Sequence, residues 1–551
     1  MHHSPIKTAM SVLLTICLVS AMLLTPAYAA GTIYINDGEN PVPNAFEGLY
    51  AVGGDGEISA IQGETLYAMT GDGLKPIKPE VPATAPPAPT VTPEPQYEDI
   101  PPAYDTVKVG LYYGSGALTE ARLENAVGSG YLFGYYDNNR QFHEVGSTDV
   151  RTLTMIADLN TTTEAETEIG CYHILLPSSY SSFQAAYDKA SEIGGFPAYY
   201  NGSYFVLYGH YKTTTETEEA MTSSGINGTV FSASSRCVVV TETGTDRILF
   251  EFDYGSAHSL AIRPVSEEGK AVTWFKQNRY HGDFQYARLT SNEYLTVVNY
   301  VEIEDYVQGV LPFEMPATWP LEALKAQAMC ARNYVATNFN TYRSQGFDVT
   351  NDTYCQVYRG VSDLESVRQA AEATAGKYVR YQGKICQTFF FSSDGGATES
   401  SENVWGSAIP YLIGVEDPYE EDVETYMKNW TYTKTPEELR DMVNDRLGCK
   451  LGVIASVEAE LTEMENIKAL TFKDVKGKTH KVINNRCVYA VNANSPRFTI
   501  EKDEDGNFVI TGSGWGHNCG LSQYGAYSMA LHHEKTAEEI IQFYFTGVYI
   551  R

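Results

Sequence analysis

The sequence predicts an α+β fold rich in strands and holding a small β-α-β-β-α-β sandwich. Three observations carry that expectation. Runs such as VKVGLYYGSG from Val107 and ILFEFDYGSAHSLAIRPV from Ile248 have the alternation or apolar density of strands. The block from Cys171 to Thr241 reads in turn as strand, helix, hairpin, helix and closing strand pair. From Pro320, apolar residues recur every three or four positions, as on one stripe of an amphipathic helix.

The N-terminus, residues 1–29, reads as a secretory signal peptide. Lys7 precedes an apolar run from about Ala9 to Leu24, and Ala27-Tyr28-Ala29 supplies a small-x-small cleavage site. The alternative is an uncleaved anchor, but the run is shorter than the roughly 20 residues that span a bilayer. No later segment is apolar enough to span one, so a secreted or cell-wall location is expected, with no transmembrane span after cleavage. Residues 30–75 are Gly-rich with short β-like runs and suggest no function. Residues 76–104 hold 10 of the chain's 24 prolines, the composition of an extended spacer. Strands then begin over residues 105–170.

Within residues 171–241, CYHILLP is a strand, SFQAAYDKASEIG a helix, and FPAYYNGSYFVLYGHY a hairpin turning at Asn201-Gly202. TTTETEEAMTSSG is a second helix and TVFSASSRCVVVT the closing pair. This layout, with YFVLYGHYKTTTETEEA, resembles a SPOR domain, the module that binds glycan strands stripped of their peptides. A structural insertion without a ligand is the alternative. EYLTVVNYVEIEDYVQGVLPFEMP, from Glu293, is read as strand leading to the next stretch.

Charge and composition narrow the partners. A formal net charge of −30 excludes a nucleic-acid partner, whose phosphates need a basic face, and disfavours anionic lipid. Forty tyrosines suit a carbohydrate surface and strands equally well. Of nine cysteines, Cys17 leaves with the signal, and the other eight are scattered without a CxxC pair.

The stretch LPFEMPATWPLEALKAQAMCARNYV carries the first chemical signal. Glu314 sits between two prolines, flanked by Phe313 and Met315, about six residues before the expected helix. Burial against Phe313, Met315 and Trp319 would raise its pKa, whereas the following helix's dipole or a nearby Lys325 or Arg332 would lower it. A group that protonates a glycosidic oxygen needs the first effect to win. The residue is thus either a catalytic acid or an exposed Glu in a Pro-bounded turn. Lys325 and Arg332, seven apart, are either cations facing an anionic sugar substituent or ordinary surface charges on a helix.

VEIEDYVQGVLPFEMPATWPLEALKAQAMCARNYV closely resembles the core of the SpoIID/LytB family. Further matches follow in order: NDTYCQVYRG, FFFSSDGGATESSENVWGSAIPYLIGVEDP, GSGWGHNCGLSQYGAYSMA and IIQFYFTGV. The resemblance covers a catalytic domain over residues 245–551, with the strands after Val107 as its start. It implies a lytic transglycosylase acting on peptidoglycan glycan strands. Glu314 would be the catalytic acid, and Lys325 and Arg332 the family's basic positions. One carboxylate suffices for that chemistry. It protonates the oxygen between MurNAc and GlcNAc, then takes the proton of the MurNAc 6-hydroxyl as that oxygen closes on C1, leaving a 1,6-anhydro end. Hydrolysis would normally need a second carboxylate, for which Asp352 and Asp394 are the candidates at hand.

Ser392, Ser393, Gly395 and Gly396 would let the backbone approach a glycan and offer neutral hydrogen bonds, or form an ordinary tight turn. His517 and Gln523, in the Gly-rich closing motif, would be fixed at the site. The resemblance departs in two places. Some members look as though they bind zinc through a His and two Cys near the Cys-Gln-Val-Tyr turn; here only Cys355 remains, Cys386 being a distant substitute, so no metal or cofactor is expected. Asn518 and Cys519 replace small and apolar residues. A cell-wall amidase that strips stem peptides first is the implied partner. A non-catalytic amidase enhancer, as on the LytB side of the family, is the alternative function.

Overall fold

The computed structural model describes residues 97–160 and 169–551, together with the backbone of four short strands between Tyr50 and Ile77. The signal segment and most of the proline-rich spacer lie outside the described residues. Residues 1–95 form one unit, in which Tyr50–Val52 pairs with Ile58–Ala60 and Leu66–Thr70 with Gly73–Ile77, both antiparallel.

The unit from Gln96 to Arg551 is built on two large sheets. The seven-stranded sheet runs in space Val349–Thr350, Thr106–Tyr112, Thr296–Glu302, Asp283–Ala287, Leu260–Val265, Gly130–Tyr136 and Phe142–Thr148. The ten-stranded sheet runs Thr229–Phe231, Tyr172–Leu175, Ser203–Tyr211, Phe196–Tyr200, Ile248–Asp253, Val238–Glu242, Thr152–Ala157, Glu120–Val127, Val272–Phe275 and Asn278–Tyr280. Glu120–Val127 shows why its residues form a strand: Ala121 and Leu123 are buried while Arg122 and Glu124 are exposed, the period-two pattern of a one-sided sheet. Val107, Val109, Phe133, Phe250, Phe284 and Val297 from the two sheets share one core. Each such buried side chain contributes about 1.5–3 kcal/mol.

Tyr172 to Phe231 follow the β-α-β-β-α-β order. Ser182 and Thr213 cap the two helices with their hydroxyls, and Gly194 and Gly225 end them in left-handed conformation. Asn201 and Gly202 both take positive φ, as a two-residue hairpin requires. This set does not stand apart as a separate sandwich: Ala198–Tyr200 pairs in parallel with Glu251–Asp253, so its strands continue into the larger sheet.

Two elements differ from the sequence reading. The strand expected through Pro316 stops at Glu302, and Ile303–Glu314 is a helix. Its buried residues, Ile303, Tyr306, Val307, Val310 and Leu311, fall at helical spacing. Pro312 lies in the last turn, where it supplies no N–H to the carbonyl four residues back, and the helix ends two residues later. The helix from Pro320, Leu321–Thr337, is not a one-striped surface helix. Leu321 is 40% exposed, while Ala323, Ala326, Gln327, Met329, Arg332 and Asn333 are buried along with the expected Leu324, Ala328, Ala331 and Val335. It is a central helix, packed against Ile303–Glu314, Glu365–Ala373, Gln523–His532 and Ala537–Tyr544. A further lobe with its own core, including Leu439, Val443, Leu470, Phe472 and Ile510, lies within the C-terminal half and was not distinguished in the sequence. All eight described cysteines are free thiols. Among the described residues no helix is long and apolar enough to cross a membrane.

Candidate active site

Glu314 is the last residue of the helix Ile303–Glu314, where the chain turns into extended backbone at Met315. It is half-buried, and Oε1 accepts one hydrogen bond, 3.2 Å from the backbone N of Val357. Burial raises its pKa above the ordinary carboxylate range, and only the Val357 N–H opposes that rise. The negative end of the helix's own dipole acts in the same sense as burial, the reverse of the dipole effect expected from sequence.

The apolar collar is also different from the expected one. Phe313 points outward, 53% exposed, and Met315 enters the core. Tyr306 and Tyr334 are the neighbours whose hydroxyls feel the Glu314 charge, and burial pushes both far up. Tyr306 donates to Oε1 of Gln356 at 3.1 Å and stacks on Tyr358 with ring centroids 5.1 Å apart. The Cys-Gln-Val-Tyr turn is fixed by these contacts and by the Tyr358 hydroxyl on Asn299, 2.8 Å away, so the Val357 N–H is held towards the carboxyl. Tyr354, three residues before Val357, is 82% exposed.

The two cysteines weighed as zinc ligands lie in different surroundings. Cys355 lies beside the Tyr334 and Tyr342 hydroxyls. Cys386 is buried in the core, and among the described residues neither cysteine belongs to a group of three metal-type ligands.

The two helix cations differ from the sequence expectation. Arg332 is completely buried: Nε and Nη2 grip both oxygens of Glu304 at 2.9 and 2.6 Å, and Nη1 reaches the carbonyl of Lys377. It has no face for a ligand, so its assignment to substrate binding is corrected to a scaffold role. Lys325 is paired at 2.7 Å with Glu322, whose other oxygen accepts the N–H of Ala537.

The two Gly-rich motifs lie side by side. Phe390–Phe391 pairs in parallel with Leu521–Ser522, and Ser393 exchanges backbone bonds with Trp515 at 3.1 and 2.6 Å. Gly514 is required here, because a Cβ would lie 2.9 Å from the Asp394 and Ser393 backbone. Asn518 takes a positive φ of 58° and donates to the Asp394 carbonyl at 2.8 Å, so the departure at this position locks the loop. Ser393 is buried and donates to Glu420 rather than facing solvent, whereas Ser392 and Gly396 are half-buried. Glu420 also accepts the backbone N–H groups of Asp394 and Gly395 at 3.0 Å and the Ser522 hydroxyl. Nothing in the sequence singled Glu420 out; it stands among the acidic residues that follow Asp417.

His517 packs among Phe389, Phe391 and Trp405, with its Nδ1 accepting from the N of Cys519 at 3.1 Å. Desolvation holds its pKa down at about 4, so the ring is neutral near pH 7. Gln523 is buried and donates to Gln327 of the central helix at 3.4 Å. The closing motif reaches the residues after Glu314 through Trp319, whose ring lies 5.0 Å from Tyr524 and 4.8 Å from Tyr527. The N–H of Tyr524 in turn bonds the Ser392 carbonyl at 2.9 Å. As for a second carboxylate, Asp394 is sealed and pushed well up by desolvation, while Asp352 accepts from Thr350, Tyr354 and Tyr113.

Residues 291–381 match the family model described as stage II sporulation protein. Over 269 residues the chain is 32% identical to stage II sporulation protein D of Bacillus subtilis, covering 75% of that protein and 46% of this chain. This chain belongs to the SpoIID/LytB family. An uncharacterised protein of Brachyspira hyodysenteriae is 38% identical over 275 residues, 71% of its length and 49% of this chain. The amidase enhancer of Bacillus subtilis is 30% identical over 291 residues, 39% of its length and 44% of this chain. Within the family's matched region stand Glu314, its Val357 partner and the helix that carries Lys325 and Arg332.

Proposed function

We propose that this family member is an exported cell-wall enzyme, a lytic transglycosylase that cuts peptide-stripped glycan strands during sporulation or wall remodelling. The observation that carries the reading is Glu314: a half-buried carboxyl with one backbone hydrogen bond and a raised pKa. Such a group is protonated where an exposed Glu is not, and so can act as a general acid. It gives its proton to the oxygen between MurNAc and GlcNAc. The resulting carboxylate accepts the proton of the MurNAc 6-hydroxyl as O6 bonds to C1. Phe313, next to Glu314, and Tyr354, three residues before Val357, are exposed and suited to stack on sugar rings. Ser392 and Gly396 offer polar contacts, and neutral His517 an uncharged hydrogen-bonding partner.

The β-α-β-β-α-β segment would hold the strand. A hollow of about 470 Å³ there is lined by Tyr187, Tyr208, His210 and Tyr211 among others, a tyrosine-rich surface of the kind glycans use. The test is digestion of denuded glycan by wild type and Glu314→Gln, with mass spectrometry of the ends. Anhydro ends from wild type alone support the reading, and reducing ends identify a hydrolase. A second reading rests on the likeness to the amidase enhancer. Stimulation of a cell-wall amidase that survives Glu314→Gln, without anhydro product from wild type, would favour it.

A further inference from the structure

A group of chemistry-bearing side chains lies away from Glu314, within the ten-stranded sheet. Asp158 follows the strand Thr152–Ala157, His173 is on Tyr172–Leu175 and Glu251 on Ile248–Asp253. One ligand atom from each lies within 4.8 Å of the other two, and all three residues are buried. His173 is three ladder steps from the Glu251 strand, about 14 Å at the usual strand spacing on a flat sheet. The sheet therefore curls, and the three side chains meet inside the curl.

The hydrogen bonding is one-sided. His173 Nδ1 lies 2.8 Å from the Gly209 carbonyl, which only accepts, so Nδ1 carries a proton. Nε2 then faces Glu251 Oε1 at 3.1 Å and Asp158 Oδ1 at 3.5 Å. Glu251 turns its other oxygen to the Tyr200 hydroxyl. Apart from these contacts of His173 with the two carboxylates, both Asp158 oxygens, Glu251 Oε1 and His173 Nε2 have no hydrogen-bond partner. Apolar Ile156, Phe196, Leu207 and Val239 form the surrounding core. The guanidinium of nearby Arg288 donates instead to the Cys237 and Asn292 carbonyls. Buried acceptors in such a cage need a cation between them. A proton on Nε2 serves one contact. A divalent ion serves all three and cancels both carboxylate charges.

We propose that Asp158, His173 and Glu251 bind a structural divalent transition-metal ion, with zinc the best fit. Ligand atoms about 2.0–2.2 Å from a tetrahedral zinc lie about 3.3–3.6 Å apart; the 3.5 Å separation of His173 and Asp158 falls in that range, and the 3.1 Å separation of His173 and Glu251 is slightly shorter. The Gly209 carbonyl and Tyr200 hydroxyl are the outer partners that orient such ligands. The ion pins the strand ends at the point where the β-α-β-β-α-β segment joins the larger sheet. The site is independent of Cys355 and of the reading of Glu314.

The test is metal analysis of the full chain purified without chelator, followed by stripping and titration with zinc chloride at pH 7.5. About one equivalent is expected, with X-ray absorption showing nitrogen and oxygen ligands near 2.0–2.2 Å, imidazole scattering and no sulfur. Asp158→Asn and His173→Gln should each weaken zinc binding at least about 10-fold, whereas Cys355→Ser should leave it unchanged. The wild-type measurement decides even where a variant fails to fold. A wild-type chain that carries no metal and takes up none overturns the proposal in favour of an imidazolium ion pair. Sulfur ligation, or zinc lost only in Cys355→Ser, overturns it as well.

Discussion

The backbone N–H of Val357 donates to Oε1 of Glu314 at 3.2 Å, the single hydrogen bond set against the burial of that carboxyl. The folded pKa therefore lies above the unfolded one. The folded state holds the proton more tightly, so the carboxyl's contribution to stability is fully present below the unfolded pKa and is lost as pH rises through the folded one. Glu314→Gln should lower glycan cleavage by about 10²–10⁴-fold. The variant should also melt no lower than wild type at pH 8, and lose part of wild type's gain in melting temperature between pH 8 and pH 5. Wild-type turnover should fall as pH rises through the Glu314 pKa. Calorimetry and anhydro-end release across pH check both.

Arg332 holds Glu304 through two charge-assisted bonds, with Arg332 fully buried and the Glu304 side chain 35% exposed. Arg332→Met should destabilise the fold by about 3 kcal/mol, the low end for a broken buried pair because water reaches the Glu304 side. Its KM for glycan should stay within about twofold of wild type, since the guanidinium has no open face. A raised KM at unchanged melting temperature would restore the substrate role expected from sequence.

His517 should add a pH dependence of the opposite sign. Its folded pKa of about 4 lies below the ordinary histidine value of 6.5. The unfolded chain takes the proton first on acidification, so stability is fully present above about pH 6.5 and is lost as pH falls towards 4. About 3 kcal/mol is at stake. His517→Gln should flatten that acid limb in urea titrations at pH 4.5 and 7. In wild type the ring's NMR resonances should not titrate between pH 5.5 and 8.

The fold was legible in the sequence wherever local signals and tertiary contacts agree. Ser182, Gly194, Thr213 and Gly225 bound two helices by side-chain chemistry, and Asn201-Gly202 makes its hairpin turn, so those elements could be read one by one. Ile303–Glu314 was missed because Val297 to Val301 supply a strong strand and the apolar positions continue past it without a breaker. The site was legible through its motifs, but the duties of its residues were not. Spacing on a helix tells that Lys325 and Arg332 share a side; it does not tell that Glu322 and Glu304 neutralise them there. Glu420 with its partners and the Asp158–His173–Glu251 group are assembled from segments distant in sequence, and no local pattern announces them.

Glu420 makes the last prediction. Its carboxylate accepts from the Ser393 and Ser522 hydroxyls and from the Asp394 and Gly395 N–H groups, thereby tying the Ser-Ser-x-Gly-Gly segment to the closing motif. Four donors meet two acceptor oxygens. In Glu420→Gln one of those oxygens becomes an NH₂ group, which faces two backbone or hydroxyl donors instead of accepting from them. The hydroxyls can rotate to accept, but the Asp394 and Gly395 N–H groups cannot. At least one buried donor is left unpaired, for a cost of about 1–3 kcal/mol. The loops on both sides of Ser392 should loosen together, with faster hydrogen exchange at Asp394, Gly395 and Trp515. Glycan cleavage should drop through a poorer KM, while the Glu314 pH profile stays where it is in wild type. A profile that moves with the substitution would mean that Glu420 acts on the reacting carboxyl rather than on the loops.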